Sequence, residues 1–181
     1  DIGSTKEGSD GMTMLYVPAG TFQMGSPLGV GESDENPQHT VTLYDFWIDK
    51  TEVTNAMYAD CVATGQCTIP VKTKSYTRDE YFGNSAYDDY PVIYVTWYQA
   101  NAYCAWAGRQ LPTEAQWEFA ARGTGNFTYP WGNFSPSSNL ANYKPSGDTV
   151  AVGLYPAGKS PYNALDMAGN VWEWVADWYG N

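Results

Sequence analysis

A chain of 181 residues is long enough to fold as one domain with a sizeable hydrophobic core. Apolar residues make up 43% of the chain and charged residues only 16%, which excludes an intrinsically disordered protein. The formal net charge of −11 disfavours nucleic acids and anionic membrane surfaces as partners. No apolar run approaches the ~18 residues that cross a bilayer, so we expect no membrane insertion.

Short alternating stretches in the first half of the chain predict β-strands. Residues 1–11 contain Gly, Ser and charge without periodicity, and we predict a flexible N-terminal arm there. Residues 12–26 alternate on both sides of a P-A-G sequence, which predicts a hairpin of two strands. Apolar and polar residues alternate again over residues 39–49. Residues 12–181 are predicted to form one α+β domain that is rich in loops.

Three threonines mark the starts of three predicted helices. Thr54 precedes the helical pattern N-A-M-Y-A-D-C-V-A and can cap it. Thr96 and Thr113 open the second and third helices, and each has a glutamine three residues later, Gln99 and Gln116, that completes a capping box. Gly108 and Gly123 follow these two patterns as stop signals.

The three cysteines differ in their predicted chemistry. Cys61 and Cys67 flank A-T-G-Q, and a disulfide between them would close a small loop and indicate an oxidising compartment. The alternative is a pair of free thiols in a cytosolic protein. Cys104 falls within a helical pattern and is predicted to be a buried, inert thiol. We favour the disulfide, and with it an exported protein in an extracellular or cell-surface location.

Common catalytic motifs are absent from the sequence. It contains no phosphate-binding loop, no G-x-S-x-G, no H-E-x-x-H and no EF-hand loop. The single histidine, His39, cannot build a zinc site and is interpreted as structural. Glu114 and Glu118 are spaced i, i+4, which is more typical of a solvated helix face than of a catalytic carboxylate pair. Residues 68–90 form a long segment rich in Tyr, Asp and Gly, which predicts a functional or binding loop.

The segment 163–179 concentrates three tryptophans and three acids. Trp172 and Trp174 share one side of an extended segment, so Glu173 points to the other side. A carboxylate opposite buried indoles needs a cation, N–H donors or water. Glu173 and Asp166 could together bind one hard cation. The alternative is an aromatic core strand whose acids lie in solvent.

Seven motifs of this chain resemble those of the sulfatase-modifying factor family, whose type member is the formylglycine-generating enzyme. The resemblance implies a C-type-lectin-like variant fold, which is α+β with a few short antiparallel strands, about three helices, much loop and bound calcium. The matching motifs are Y-V-P-A-G-T-F-Q-M-G-S (16–26), D-E-N-P-Q-H-T-V-T-L (34–43), F-W-I-D-K-T-E-V-T-N (46–55), Y-P-V-I-Y-V-T-W (90–97), A-Y-C-A-W-A-G-R-Q-L-P-T-E-A-Q-W-E-F-A-A-R-G (102–123), Y-P-W-G-N (129–133) and G-N-V-W-E-W-V-A-D-W-Y (169–179).

In the family enzyme, one calcium ion is held by a loop that matches the last motif. Carried over residue by residue, the resemblance implies two side chains and two backbone oxygens as ligands: Asp166, Glu173, Gly169 and Val171. The family enzyme has an amide where this chain has Asp166, so the oxygen is kept and a negative charge is added. One calcium ion is therefore predicted in the C-terminal part of the chain.

A second calcium ion lies, in the family enzyme, in a loop that matches residues 141–150. The resemblance then suggests Asn142, Tyr143 and Asp148 as ligands, although the loop lengths differ. From chemistry alone, Asn139, Asn142 and Asp148 supply suitable oxygens but are more often turn-forming residues. We therefore expect one or two calcium ions in all.

The resemblance does not extend to the catalytic centre. The family enzyme oxidises a substrate cysteine with copper(I) held by two cysteines, which lie in a later part of the family pattern, after an R-G-G-S-W strand. Cys61, Cys67 and Cys104 match neither position. We therefore expect a domain truncated at its C-terminus, with no copper and no catalytic residues in this chain.

These observations favour a non-catalytic, calcium-stabilised binding or display module, exported, whose partner is a protein or peptide ligand or a neighbouring subunit. Whether the protein is an enzyme stays open. One alternative is a fragment of a copper-dependent formylglycine-generating oxidase. Another is a subunit of an extracellular surface assembly completed by strand exchange. A lectin-like sugar site is a further possibility, because a fold does not fix a function. The sequence does not indicate which residues contact a ligand.

Overall fold

The structure is a computed structural model that describes residues 1–143 and 147–179. Within those ranges the fold is the small α+β architecture that the sequence predicts, with short antiparallel strands, three helices and long irregular connections. No helix in the described ranges is long and apolar enough to cross a membrane. The strands are β1 (Thr5–Glu7), β2 (Thr13–Val17), β3 (Gly20–Met24), β4 (His39–Leu43) and β5 (Phe46–Asp49), and the helices are α1 (Asn55–Ala63), α2 (Trp97–Trp106) and α3 (Glu114–Arg122).

The strands form two small antiparallel sheets. One sheet has the order β1-β2-β5, and its register places Leu15 opposite Ile48. The other sheet pairs β3 with β4 and places Phe22 opposite Val41. All four of these residues belong to one hydrophobic core or pack against it. The alternating pattern therefore predicts correctly which side of each strand faces inward.

The hairpin predicted for residues 12–26 is wrong, because β2 and β3 belong to different sheets. The P-A-G sequence between them carries the chain from one sheet to the other. Pro18 has no N–H to donate to a hairpin ladder. Gly20 packs directly on Phe119, and a Cβ at residue 20 would lie 2.7 Å from the ring Cζ. The connection is therefore shaped by helix α3 rather than by a turn between paired strands.

The N-terminal residues also differ from the predicted flexible arm. Strand β1 pairs with β2, and the backbone N–H of Tyr16 donates to the carbonyl of Ser4 at 3.1 Å. Side-chain hydrogen bonds fix Asp10 as well. Arg109 donates to its two carboxylate oxygens at 2.8 and 2.6 Å, and the Tyr103 hydroxyl donates to Asp10 Oδ2 at 2.5 Å. These contacts fix the start of the chain to the end of helix α2.

The larger hydrophobic core lies between the strands and helix α3. Phe119 is 1% exposed, and its ring contacts Phe22 and Tyr162 at centroid distances of 5.0 and 5.6 Å. Ala120 and Ala121 are buried beside it, as the helical periodicity predicts, and Trp117 packs at the edge of the core. The core therefore connects α3 to the irregular segment that follows Pro161.

A second core joins α1 to α2 around the predicted disulfide. The rings of Tyr58 and Tyr103 stack with a centroid distance of 5.7 Å. Cys61 and Cys67 form a disulfide, with their Cα atoms 5.3 Å apart, which confirms the pairing predicted from the sequence. The two sulfur-bearing residues are buried in this core, so the bridge fixes the turn after α1 against α2.

Removing the disulfide is expected to destabilise the protein by about 2 kcal/mol, because the unfolded chain regains the entropy of a short loop. The test is thermal unfolding of the Cys61→Ser, Cys67→Ser double variant, with a decrease in Tm of roughly 4–8 °C. Reductant should lower the Tm of the wild type but leave that of the double variant unchanged. Equal sensitivity of the two proteins to reductant would contradict the prediction.

Candidate functional site

The backbone of the C-terminal segment bends sharply at several residues with positive φ. Asp166 has φ 56° and Asn170 has φ 57°, which are unfavourable left-handed conformations for residues with a side chain. Gly169 lies between them with φ 95°, and a Cβ at that residue would lie 2.6 Å from the carbonyl oxygen of Asn142. The bends therefore press the segment against the loop that contains Asn142.

The bends bring the Asp166 carboxyl group close to that of Glu52, a residue that the sequence analysis did not select. Both residues are buried, with 7% and 8% of their surface exposed. Asn170 donates to Glu52 Oε1 at 2.9 Å, and the backbone N–H of Gly153 donates to Asp166 Oδ2 at 2.5 Å. Glu52 Oε2 is buried, and among the described residues no donor reaches it. A proton shared with the Asp166 carboxyl group, or a cation, could compensate this oxygen.

The electrostatics of the cluster disfavour three negative charges. Burial raises the pKa of Glu52 well above its usual range, and the charges of Asp166 and Glu173 raise it further. Burial also raises the pKa of Asp166, against the opposing effects of the Gly153 N–H and of a hydrogen bond with the Glu52 side chain. Burial and the neighbouring acids raise the pKa of Glu173 to about 7, although Trp117 donates to its carboxylate at 3.1 Å.

Glu173 differs from the other two acids in its contact with solvent. The residue as a whole is exposed, so water screens its carboxylate more than the carboxylates of Glu52 and Asp166. The strongest repulsion therefore lies at the Glu52–Asp166 pair. A proton or a cation would relieve that repulsion.

The tryptophans of this segment are exposed, which corrects the interpretation of buried indoles. Trp172 is 102% exposed, Trp178 71% and Trp174 48%. The indole of Trp174 nevertheless donates to the carbonyl of Val95 at 2.9 Å, which anchors the segment to the residues before α2. The alternation with period 2 does not show which residues of the segment are buried.

In contrast, the Asp148 carboxylate has a full set of donors. It accepts hydrogen bonds from Ser75 Oγ at 2.5 Å, from Thr77 N at 2.8 Å and from Thr77 Oγ1 at 2.8 Å, and it forms an ion pair with Arg78 at 3.2 Å. Burial opposes its ionisation, but these hydrogen bonds outweigh burial and hold the pKa of Asp148 well below its usual range. Asp148 thereby connects the C-terminal half to the loop 68–90.

Of the other two residues predicted for the second calcium ion, Asn142 contacts Asp148. The side-chain amide of Asn142 donates to the backbone carbonyl of Asp148 at 3.0 Å, and Tyr143 is 45% exposed. Residues 144–146, which complete the predicted loop, fall outside the described ranges. Calcium ligation by Asn142, Tyr143 and Asp148 therefore stays a prediction.

Comparison with known proteins identifies the family. The sequence matches the domain family described as sulfatase-modifying factor enzyme 1-like over residues 2–181. The chain belongs to this family. Among its relatives is a protein named Inactive C-alpha-formylglycine-generating enzyme 2 from Bos taurus, 34% identical over 217 residues, which cover 93% of this chain and 71% of the relative. The Formylglycine-generating enzyme of Thermomonospora curvata is also 34% identical, over 218 residues that cover 92% of this chain and 71% of that enzyme.

Other relatives place the family domain within longer proteins, and solved structures share its fold. The Serine/threonine-protein kinase pkn1 of Chlamydia caviae is 39% identical over 178 residues, but the match covers 92% of this chain and only 28% of the kinase. The chain thus spans little more than a quarter of that relative. The structure of PvdO from Pseudomonas aeruginosa aligns with a TM-score of 0.77 and 28% identity, over 99% of this chain and 76% of PvdO.

The structure brings two of the four ligands implied by the family resemblance, Asp166 and Glu173, into one electrostatic cluster and adds Glu52. Gly169 and Val171 lie on the bent segment between them. Among the residues described, no three His, Cys, Asp or Glu side chains are close enough to hold a metal by themselves. Calcium also accepts backbone and amide oxygens, and the uncompensated oxygen of Glu52 fits the oxygen chemistry of such a site.

Replacing Asp148 with asparagine is expected to loosen the loop 68–90, because donors from Ser75 and Thr77 lose a charged acceptor. Limited trypsin digestion measures this effect, since Lys72 lies in the loop. We expect cleavage to be about tenfold faster, because about 1.4 kcal/mol of local stability corresponds to a factor of ten. Asp79→Asn, at an exposed acid of the same loop, is the control, and equal rates in the two variants would contradict the prediction.

Proposed function

We propose that this chain is a non-catalytic, calcium-stabilised binding or display module on a formylglycine-generating-enzyme-like scaffold, and that it is exported. The observation that carries the proposal is the buried carboxylate pair of Glu52 and Asp166, in which one oxygen accepts no hydrogen bond from residues 1–143 or 147–179. Buried charges in proteins are normally paired or bound to a metal ion. The whole protein's partners and location are part of the same proposal.

Calcium is the cation that fits the groups around this pair. It takes six to eight oxygen ligands from carboxylates, backbone carbonyls and amides. Glu52, Asp166 and Glu173 would supply carboxylate oxygens, and Gly169 and Val171 would supply carbonyl oxygens from the bend between them. Burial raises the pKa of all three acids, and repulsion adds to this for Glu52 and Glu173; a bound divalent ion would offset both effects. Its structural role would be to stabilise an irregular segment that has few backbone hydrogen bonds.

The chemical states of the three cysteines support a non-catalytic role for this chain. Copper(I) prefers thiolate ligands, and the chain has three cysteines. Cys61 and Cys67 are joined in a disulfide, which leaves Cys104 as the one free thiol of the sequence. Burial raises the pKa of Cys104 to about 11, so this thiol stays protonated at neutral pH and is a poor metal ligand. Two thiolates that could hold copper are therefore not available within these residues.

Two further observations support export and a binding role. Disulfides persist in oxidising compartments, and the Cys61–Cys67 bridge is buried in a core of the domain. The matching kinase is much longer than this chain, so the family domain also occurs as one part of a larger protein. A protein or peptide ligand is the partner that we propose for the module.

The experiment that tests the absence of catalysis is a copper and turnover assay. The chain is incubated with copper(I), oxygen and a peptide containing Cys-x-Pro-x-Arg, and the loss of the cysteine thiol is followed by mass spectrometry. The Thermomonospora curvata enzyme, assayed in parallel, shows that the conditions support turnover. We expect no turnover and no tight copper(I) binding by this chain. Oxygen-dependent turnover would instead support the alternative of a formylglycine-generating oxidase.

A surface-assembly subunit completed by strand exchange is a second candidate. It is favoured by β5, which is an edge strand of its sheet. Light scattering distinguishes the two candidates, because a strand-exchanged assembly grows with protein concentration. A monomer at all concentrations would remove the second candidate and leave the binding module.

A further inference from the structure

Arg78 lies among tyrosine rings and oxygen acceptors that come from distant parts of the chain. Its guanidinium carbon is 4.9 Å from the centre of the Tyr87 ring and 5.0 Å from that of the Tyr90 ring. A cation over an aromatic face is attracted by the negative potential of the ring. The guanidinium also pairs with Asp148 at 3.2 Å and donates to the backbone carbonyl of Thr149 at 3.0 Å. Arg78 is therefore held by aromatic rings and by oxygen acceptors at the same time.

The acceptors of Arg78 are the oxygen types that a calcium ion would take. Calcium binds carboxylate and backbone carbonyl oxygens, and Arg78 contacts one of each, from the successive residues Asp148 and Thr149. Arg78 Nη1 also donates to the Thr149 hydroxyl at 3.3 Å. A guanidinium carries five N–H donors in a rigid plane, so it can satisfy several oxygens at once. Arg78 thus supplies a positive charge where the family resemblance suggests a second calcium ion.

Protein donors already take the acceptor positions of the Asp148 carboxylate. Besides its ion pair with Arg78, the carboxylate accepts hydrogen bonds from the Ser75 hydroxyl and from the backbone N–H and hydroxyl of Thr77. The backbone N–H of Thr149 donates to the other oxygen, Oδ1, at 2.8 Å. Five donors therefore surround a group that has about four lone-pair positions. The Asp148 side chain is also only 7% exposed, which restricts the access of a hydrated ion.

Asn142 presents a donor to Asp148 rather than an oxygen. Its side-chain nitrogen donates to the Asp148 carbonyl at 3.0 Å and to Asn170 Oδ1 at 3.3 Å. The backbone N–H of Val150 donates to the same Asn170 atom at 3.0 Å, which identifies that atom as the oxygen and the Asn142 atom facing it as the nitrogen. The backbone carbonyl of Asn142 accepts from Asn170 N at 2.9 Å. Asn142 therefore serves the hydrogen bonds of the protein, whereas a calcium site needs oxygens directed at the ion.

We propose that the Arg78 guanidinium takes the place of the second calcium ion. Asn142, Tyr143 and Asp148 then bind no metal, and the chain binds a single calcium ion at the Glu52 cluster. This inference rests on the proposed calcium-stabilised function and narrows it to one ion. A calcium ion that shared the Asp148 carboxylate with Arg78 would lie close to another positive charge, and their repulsion disfavours that arrangement. A cation that is part of the chain also acts at any calcium concentration.

Isothermal titration counts the calcium ions. We expect one ion per wild-type chain, and an unchanged number and affinity for Asp148→Asn. Glu52→Gln is the matched variant that should weaken the binding. Two ions per wild-type chain, with one of them lost in Asp148→Asn, would overturn the inference. An absence of binding would contradict the proposed function instead, and the inference would then be decided by a measurement made without calcium.

That measurement is a double-mutant cycle, followed by urea unfolding in chelator. The variants are Arg78→Met, Asp148→Asn and the two combined. Because the guanidinium compensates Asp148 without any metal, we expect the two losses to be coupled by about tenfold in the unfolding equilibrium constant. Arg78→Lys keeps the charge but not the planar fork, so it should lose less stability than Arg78→Met. Additive losses in chelator, or a coupling that is present only in calcium, would overturn the inference.

Discussion

Replacing Arg109 with methionine is expected to lower the free energy of unfolding by about 3–5 kcal/mol, which is typical when one partner of a buried ion pair is removed. The Arg109 side chain is 9% exposed and that of Asp10 is 1% exposed. Arg109 donates to both Asp10 oxygens, at 2.8 and 2.6 Å, in a bidentate pair. Without it, Asp10 would keep Tyr103 as a donor but would have no compensating charge.

Urea unfolding of a double-mutant cycle separates the ion pair from the loss of packing. The variants are Arg109→Met, Asp10→Asn and the two combined, and we expect the double variant to be more stable than the sum of the single losses predicts. Additive losses would contradict a coupled pair.

The pH dependence gives a second test. Burial opposes ionisation of Asp10, but the hydrogen bonds and charge of Arg109 lower its pKa from 3.8 to about 2. Because the folded pKa is depressed, this stability is present above pH 3.8 and is lost as the pH falls toward 2. The wild type should therefore lose more stability than Arg109→Met over that interval.

Removing calcium is expected to lower the Tm by roughly 5–10 °C. Free calcium at a concentration of about one hundred times its dissociation constant stabilises the folded state by about 2.7 kcal/mol. The Tm of a domain of this size changes by about 2–4 °C per kcal/mol. The physical reason is the buried repulsion between Glu52 and Asp166, which a divalent ion would relieve. Differential scanning calorimetry with calcium and with a chelator measures the shift.

The same proposal predicts how the calcium effect changes with pH. The folded pKa of Glu52 and of Asp166 is raised above the ordinary values of 4.5 and 3.8, so without calcium their stabilising effect is complete below those values. It is lost as the pH rises through the raised pKa, which is about 7 for Glu173 and about 9 for Glu52. In chelator, the Tm should therefore fall between about pH 4.5 and pH 9.

Calcium should restore more stability at pH 8 than at pH 5, because fewer protons then compete with the cation for the carboxylates. Glu52→Gln is the matched variant, since it keeps the shape of the side chain and removes its charge. In chelator, its Tm should depend less on pH than that of the wild type. Parallel curves with and without calcium at every pH would contradict a cation at this cluster.

The sequence predicts the helices well because their signals are local. Thr96 accepts a hydrogen bond from Gln99 N, and Thr113 accepts one from Gln116 N, within a single turn of chain. Strand pairing is different, because a strand finds its partners far along the chain. Strand β2 pairs with residues 5–7 and 46–49 rather than with the strand that follows it. A short stretch of sequence therefore cannot show that β2 and β3 lie in different sheets, or that the N-terminal residues pair with β2.

The candidate site shows the same limit. Asp166 and Glu173 stand out because the acids and tryptophans of their segment are close in sequence. Glu52 lies 118 residues from its hydrogen-bond donor Asn170, and only the fold brings the two together. The single available signal was an acid placed two residues before the Thr54 helix cap, where the chain enters a buried element. Burial and convergence are tertiary properties, so the sequence could not rank Glu52 above the other acids.

Isothermal titration of calcium into the chelator-treated protein at neutral pH is the most direct measurement of the central claim. We expect at least one calcium ion per chain, and we expect Glu52→Gln to weaken this binding tenfold or more, because a carboxylate ligand is lost. Asp60→Asn, at an exposed acid away from the cluster, should bind calcium like the wild type. Equal affinities of Glu52→Gln and the wild type, or no binding at millimolar calcium, would contradict the proposed site.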